Sequence, residues 1–213
     1  MSSADFLLSP EVQKLLQIFF SEPPASFSID ALARRTKLGV ADATRALNHL
    51  AQSGILHRHP MGDDEAEKFS INTSFVFYAE FRCIALKSFA AAEPIRKMLR
   101  TKFKTSVLQA FVLGEDDQAN VELLVVHGEL VPDRSDMAAA CRRLSASLGR
   151  QLTVHVISHS KYRSLTPRDA MGAKLAAPCA FEIIGQGETR AVAPKPREGL
   201  LQSARKRLAA LAS

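Results

Sequence analysis

The chain has 213 residues, 46% of them hydrophobic and 23% charged, with a formal net charge of +6. That supplies enough apolar residues for packed cores and enough length for two domains, which excludes wholesale disorder. No apolar run reaches the ~18 residues a bilayer span requires, and residues 1–10 carry neither a basic stretch nor a signal-type apolar core, so a cytoplasmic protein with no membrane partner is expected.

Cys83, Cys141 and Cys179 lie far apart, form no metal-ligand spacing and are odd in number. They read as small buried side chains in a reducing compartment and not as a disulfide scaffold. Charge is uneven along the chain. Residues 1–74 carry seven Lys/Arg against nine Asp/Glu, residues 75–104 seven against two, residues 105–190 nine against ten, and residues 191–213 five against one. The excess base sits in a central segment and a tail, and not at the N-terminal end.

In chain order, Ser9-Pro10-Glu11 starts a helix: a side-chain oxygen at the cap, Pro in the first turn and an acid at the positive end of the dipole. Val12, Leu15, Leu16 and Phe19 recur at helical spacing, and Pro23-Pro24 stops the helix. Ser26-Phe27-Ser28 is a short extended piece. Ser28 caps a second helix over residues 29–36, with Ile29, Leu32 and Ala33 on one face. Lys37-Leu38-Gly39-Val40 reads as the tight turn of a helix-turn-helix, with Gly39 permitting the bend and Leu38 and Val40 filling the space between helices. A third helix spans residues 41–53, with Ala43, Ala46, Leu47 and Leu50 as its buried stripe and Gly54 closing it. Residues 55–59 and 68–72 then read as two strands around a polar loop, a wing set directly behind the third helix.

This order is that of a winged helix-turn-helix, and it implies double-stranded DNA as a partner. The third helix would enter the major groove with Thr44, Arg45, Asn48 and His49 off its buried stripe. Arg45 suits guanine and Asn48 suits adenine. Arg34, Arg35 and Lys37 suit phosphates, and Arg58, between His57 and His59, suits a contact from the wing. For each of these the plain alternative is a solvated surface side chain. Asp63-Asp64-Glu65 at the wing tip would repel phosphate. Either the tip points away from DNA or the domain works through protein contacts.

Residues 75–92 read as one apolar helix, with Val76, Phe77, Phe81, Ile84, Ala85, Leu86 and Phe89 on it. A second helix follows from Pro94, over residues 95–105, carrying Arg96, Lys97, Arg100, Lys102 and Lys104. The apolar surface of the first is too wide for one small domain to cover, so a homodimer held mainly by residues 75–92 is expected. From Val107 the pattern alternates: strands over residues 107–113, 121–127 and 152–158, a helix over residues 135–148 capped by Ser135-Asp136 and ended by Gly149, another helix from Ser160, and a closing strand at Phe181. That is an α/β layer with a mixed sheet, and the chain as a whole is α+β. His127, His155 and His159 read as ordinary surface or satisfied histidines.

The series Ala110-Phe111-Val112-Leu113-Gly114, Asn120-Val121-Glu122-Leu123-Leu124-Val125-Val126-His127-Gly128, Leu148-Gly149-Arg150 and Val154-His155-Val156-Ile157 resembles the minimal nucleotidyltransferase domain, in the form that follows a winged helix in a group of prokaryotic transcriptional regulators. Active members hold phosphates with a serine after the glycine, and metal ions with two aspartates. Here Gly114 is present, but Glu115 stands where that serine would be, Asn120 stands for the first aspartate and Glu122 for the second. Glu115, Asp116 and Asp117 bring negative charge to a site meant for phosphate. The resemblance therefore implies a domain that has lost its catalysis, with no metal and no cofactor, in a regulator that is not an enzyme. The implied layout is a winged helix over residues 1–74, connecting or dimerisation helices over 75–104, a degenerate nucleotidyltransferase-like domain over 105–190, open to an unidentified small-molecule or protein ligand, and a basic tail over 191–213. An active nucleotidyltransferase, and a winged-helix interaction module that does not bind DNA, are the alternatives. In the tail, residues 199–211 read as a short basic helix.

Overall fold

Local sequence sets the first elements. Ser9 accepts the Val12 N–H and opens helix α1 (Pro10–Ser21), whose Val12, Leu15, Leu16, Phe19 and Phe20 are buried. Strand β1 (Ser26–Ser28) leads into α2 (Ile29–Thr36), where the Ser28 hydroxyl accepts the Ala31 N–H. Then come α3 (Val40–Gln52), β2 (Leu56–His59) and β3 (Lys68–Ile71). The strands form an antiparallel sheet in the order β1-β3-β2, with Phe69 opposite both Phe27 and Arg58. Phe19, Leu32, Leu47, Leu50 and Phe69 meet in one core between helices and sheet. The computed structural model describes residues 2–60, 66–116 and 119–194. The acidic run at residues 63–65, Asp117 and the tail helix expected at residues 199–211 lie outside them.

The turn between α2 and α3 differs from the sequence reading. Gly39 has φ −62° and needs no glycine freedom. Lys37 takes the left-handed conformation, at φ 56°. Leu38 packs on the core as expected, but Val40 is 55% exposed, because as the first residue of α3 it lies on the outer side.

The connecting segment is two shorter helices, α4 (Tyr78–Lys87) and α5 (Ala92–Lys102), in place of one long helix and a second from Pro94. Ser88 and Ala91 both leave helical geometry, and the Ser88 hydroxyl donates to the Ile84 carbonyl. Pro94 is tolerated inside the first turn of α5, where its missing N–H would have had no helical partner. The apolar side of α4 does not need another chain to cover it. Phe75, Tyr78, Phe81, Ala85, Phe89 and Ala90 pack into the N-terminal core, with Phe20 and Tyr78 rings 5.9 Å apart. Only Val76 and Phe77 stay widely exposed there, so the surface expected to hold a dimer is largely used inside the chain.

The second sheet is built from β4 (Val107–Glu115), β5 (Asn120–His127), β6 (Gln151–Ser158) and β7 (Phe181–Ile184), in the order β6-β5-β4-β7. β5 and β6 run parallel, and the other pairs are antiparallel. Strand alternation feeds two cores. Val112, Leu123, Val125 and Leu152 share one with Ile95 and Leu99 of α5 and with Met137 and Cys141 of α6 (Arg134–Leu148). Leu113, Leu124 and Val126 face the other, under Tyr162 of α7 (His159–Arg163) and Met171 and Leu175 of α8 (Ala170–Leu175). The cap of α6 is Asp133, not Ser135, because it is the Asp133 carboxylate that reaches the Asp136 N–H. Gly149 ends α6 at φ 64°, and a Cβ there would lie 2.9 Å from the Ser21 side chain, so the end of α6 abuts the end of α1.

The cysteines are unpaired. Cys141 is buried, and burial pushes its thiol pKa up, whereas Cys83 and Cys179 are exposed, against the expectation of three buried side chains. Among the described residues no helix is long and apolar enough to cross a membrane.

Candidate nucleic-acid interface

The stripe Ala43, Leu47 and Leu50 pins α3 to the core and turns its other faces outward. Arg45 stands on that outer side, its Nη2 2.8 Å from Asp42 Oδ1 one helical turn away. His49 is exposed beside it. Asn48 is half-buried, and its side-chain oxygen accepts from the Arg58 guanidinium on β2. Arg58 also lies 3.3 Å from Glu67 and packs over the Phe69 ring. Thr44 donates to the Val40 carbonyl at 2.8 Å, which turns its hydroxyl back onto its own helix.

The structure therefore brings Arg45, Asn48, His49 and Arg58 to one surface formed by α3 and β2. His57, His59 and Lys68 lie on the other face of the ribbon, since side chains alternate along a strand, with His59 opposite Lys68 and its Nε2 2.8 Å from Ser70 Oγ. Arg34 and Lys37 are exposed on and after α2, the Arg34 Nε donating to the Asp30 carbonyl. Arg35 is drawn to the end of α1, where it pairs with Glu22 and lies over Phe27. Sequence reading missed Asp42 and Glu67 as partners of these bases. The first was open to view, since Asp42 and Arg45 are three apart on a helix. Glu67 was not, because its contact depends on how the segment before β3 returns.

The positions matched to the nucleotidyltransferase pattern lie at one end of the β4 and β5 pair, with Gly114 opposite Glu122, but their side chains are taken up by separate partners. Glu115 is buried, with its carboxylate 2.9 Å from Arg82 Nε and 2.7 Å from Arg150 Nε. It was expected to bring negative charge to the site, and instead two guanidinium groups compensate it. Arg150 is itself only 2% exposed, and its Nη1 and Nη2 have no hydrogen-bond partner among the described residues. Asn120 accepts from Thr153 Oγ1 at 2.9 Å and donates through its backbone N–H to Asp116 at 2.9 Å. Glu122 holds Lys174 Nζ at 2.7 and 2.6 Å. Gly114 has φ 144°, and a Cβ there would meet Cys179 Sγ at 3.3 Å, so its backbone lies close to a thiol. Among the described residues no group of three or more His, Cys, Asp or Glu stands as a metal-ligand set. His127 is satisfied by the Gly128 carbonyl at 2.8 Å, but His155 and His159 each bury an Nε2 without a partner, which the sequence reading did not anticipate.

No family model matches the chain, and no curated protein matches it. Among solved structures, it is similar to a protein described as a possible transcriptional regulator from Methanosarcina mazei Go1, at 24% identity and a TM-score of 0.31. The match covers 38% of this chain and 66% of that protein, just under two thirds of its length. A likeness at that score carries no argument about what the chain does, which leaves the geometry to carry it.

Chemically, the α3 and β2 surface presents guanidinium and imidazole groups that reach outward on a fixed backbone. That arrangement suits phosphates and base edges. The end of the second sheet is instead internally compensated: Glu115 and Glu122 are each matched by a base within hydrogen-bond distance.

Proposed function

We propose that the chain is a DNA-binding transcriptional regulator in which residues 1–74 act as a winged helix-turn-helix and residues 105–190 as a nucleotidyltransferase-like scaffold without catalysis. The observation that carries this reading is the placement of Arg45 and His49 on the outer face of α3, next to Arg58 on the antiparallel pair β2 and β3. A helix anchored on one side and polar on the other, flanked by a two-stranded ribbon, is the geometry that enters a major groove. Support for a domain without catalysis comes from the acids. Glu122 is paired with Lys174, and Asn120 is neutral, so these two positions do not supply the pair of free carboxylates that would organise two hard cations.

The test begins with selection from random duplexes by the full chain. Arg45→Ala and Arg34→Ala are then titrated at fixed salt against the best duplex and a scrambled one, because affinity falls steeply with ionic strength. Loss of a base contact at Arg45 costs about 1–3 kcal/mol and narrows the ratio between the two duplexes. Loss of a phosphate contact at Arg34 weakens both alike. An Arg45→Ala ratio equal to that of the parent chain removes α3 as the reader. Incubation with labelled nucleoside triphosphates, magnesium or manganese and candidate acceptors is expected to give no transfer above a denatured control.

One observation favours a second reading, an interaction module that does not bind DNA. Arg45 and Arg58 each have a carboxylate within 3.3 Å or less, and Arg35 is paired with Glu22. DNA must displace those acids. Failure of the selection to enrich any duplex, together with binding that is blind to salt, would favour this reading.

A further inference from the structure

We infer that β6 is a docking edge for a second copy of this chain, joining two four-stranded sheets into one of eight strands. Among the described residues β6 ends the sheet, with β5 on one side and no strand on the other. It is eight residues long and pairs one-to-one with β5 over its whole length, without a register shift. An edge of that kind is a template for another strand, and chains normally blunt it with charge, proline, a bulge or shortness. The other edges among the described residues are blunted. β1 has three residues, β2 carries Arg58 between two histidines, and β7 has four residues and carries Glu182. The β6 sequence Gln-Leu-Thr-Val-His-Val-Ile-Ser has no Asp, Glu, Lys, Arg, Pro or Gly.

The backbone states which residues pair. In a parallel ladder, alternate residues direct both N–H and C=O to the same neighbour. The Gln151 N–H bonds the Ala119 carbonyl on the β5 side, so the odd positions face β5 and the even ones face outward. Leu152 fits this rule, since its outward N–H donates to Ser145 Oγ. Of the other even positions, Ser158 is the cap of α7, which leaves Val154 and Val156 as the outward pair. An antiparallel second copy related by a two-fold axis through His155 places Val154 opposite Val156 of the copy, and Val156 opposite Val154. Both use N–H and C=O, and Leu152 is left to Ser145. This register keeps even positions beside even positions, so the valines that pack toward α6 extend the same core in both copies. The occupant is a second copy because the strand complements itself in this register and carries no charge to repel its own image. A cavity of about 640 Å³ beside Leu152 and Val154, between α6 and β6, shows that α6 does not close over this side.

The register gives a sharp test. At the axis the two His155 positions face each other as a non-hydrogen-bonded pair, with Cβ atoms about 4.5–5.5 Å apart before relaxation, near the span a disulfide bridges. In a Cys83→Ser, Cys179→Ser background, His155→Cys should form an intermolecular disulfide under mild oxidation. Thr153→Cys, which faces Ile157 of the copy, should not. Independently, light scattering of the unaltered chain should give twice the 23.3 kDa chain mass. Hydrogen exchange at the Val154 and Val156 amides should slow roughly tenfold or more when the chain is concentrated from monomer to dimer. A monomer throughout the micromolar range overturns the inference. So does a dimer whose Val154 and Val156 amides exchange as in the monomer, or one that Phe77→Asp dissociates while His155→Cys fails to crosslink.

Discussion

Glu115 shows how far one residue's meaning depends on what surrounds it. Read in sequence beside Asp116 and Asp117, it is part of an acidic loop. In the fold its carboxylate is buried and shared by Arg82 and Arg150, two cations to one anion. Taking those ions out of water is costly, and removing the single acid leaves Arg150 buried without a counter-charge. Glu115→Gln is therefore expected to lower stability by about 3–5 kcal/mol, the usual cost of breaking a buried pair, measured by urea denaturation. A loss below about 1 kcal/mol would mean that water reaches the guanidinium groups. Arg45 is the contrasting case. It and Asp42 are both well exposed, so their ion pair contributes little to folding. Its consequence is for binding, because Asp42 competes with any phosphate or base for the same guanidinium. Asp42→Asn should tighten binding to duplex DNA and leave the denaturation midpoint nearly unchanged, a comparison that separates the two roles.

At the scale of elements, termini that sequence marks with a side-chain oxygen or a glycine are where the chain turns. Ser9, Ser28 and Ser158 each accept a backbone N–H at the start of a helix, and Gly149 ends α6. The exceptions have local causes. Asp133 takes the cap of α6 because it lies three residues before the N–H it accepts, which Ser135 does not. Lys37, and not Gly39, carries the left-handed turn, since the reversal comes directly after Thr36. Gly149 has two constraints at once, a positive φ and the Ser21 side chain 2.9 Å from where a Cβ would stand. Gly149→Ala should cost about 1–3 kcal/mol by thermal denaturation. Asp133→Ala, which removes only a cap, should cost about 1 kcal/mol. Equal effects would show that the contact with α1 adds nothing.

At the scale of the whole molecule, the connecting helices bind two cores into one body. Neighbouring residues diverge: Ala85 and Ala90 lie in the N-terminal core, Leu86 and Ala91 in the core under the second sheet. Ser2 and Ser3 add hydrogen bonds to Glu93 on α5, and Arg82 reaches Glu115. The expected outcome is a single cooperative transition in calorimetry, with calorimetric and van't Hoff enthalpies equal. Two resolved transitions would show that residues 1–74 and 105–190 unfold separately.

Sequence by itself determined the order and type of nearly every element described, because periodicity and capping are local. Leu15, Leu16 and Phe19 at helical spacing, and Val121, Leu123 and Val125 at strand spacing, need no partner to declare themselves. It also named Arg45, Asn48, His49 and Arg58 among its DNA-contact candidates, with Arg34, Arg35, Lys37 and Thr44, since three of those four ride a single helix and Arg58 lies on the strand that follows. α8 was not legible: it is six residues long and has no side-chain cap, and is held by packing of Met171 and Leu175 on the sheet. The break at residues 88–91 was hidden for a similar reason, as apolar residues run through it and only the division between two cores ends the helix. Tertiary structure alone decided which charges distant in sequence compensate one another. Glu115 meets Arg82 and Arg150 from 33 and 35 residues away, and Glu122 meets Lys174 from 52. It also decided that β6 lies at an edge, because strand order follows from how the sheet closes around its helices and no single strand carries that information.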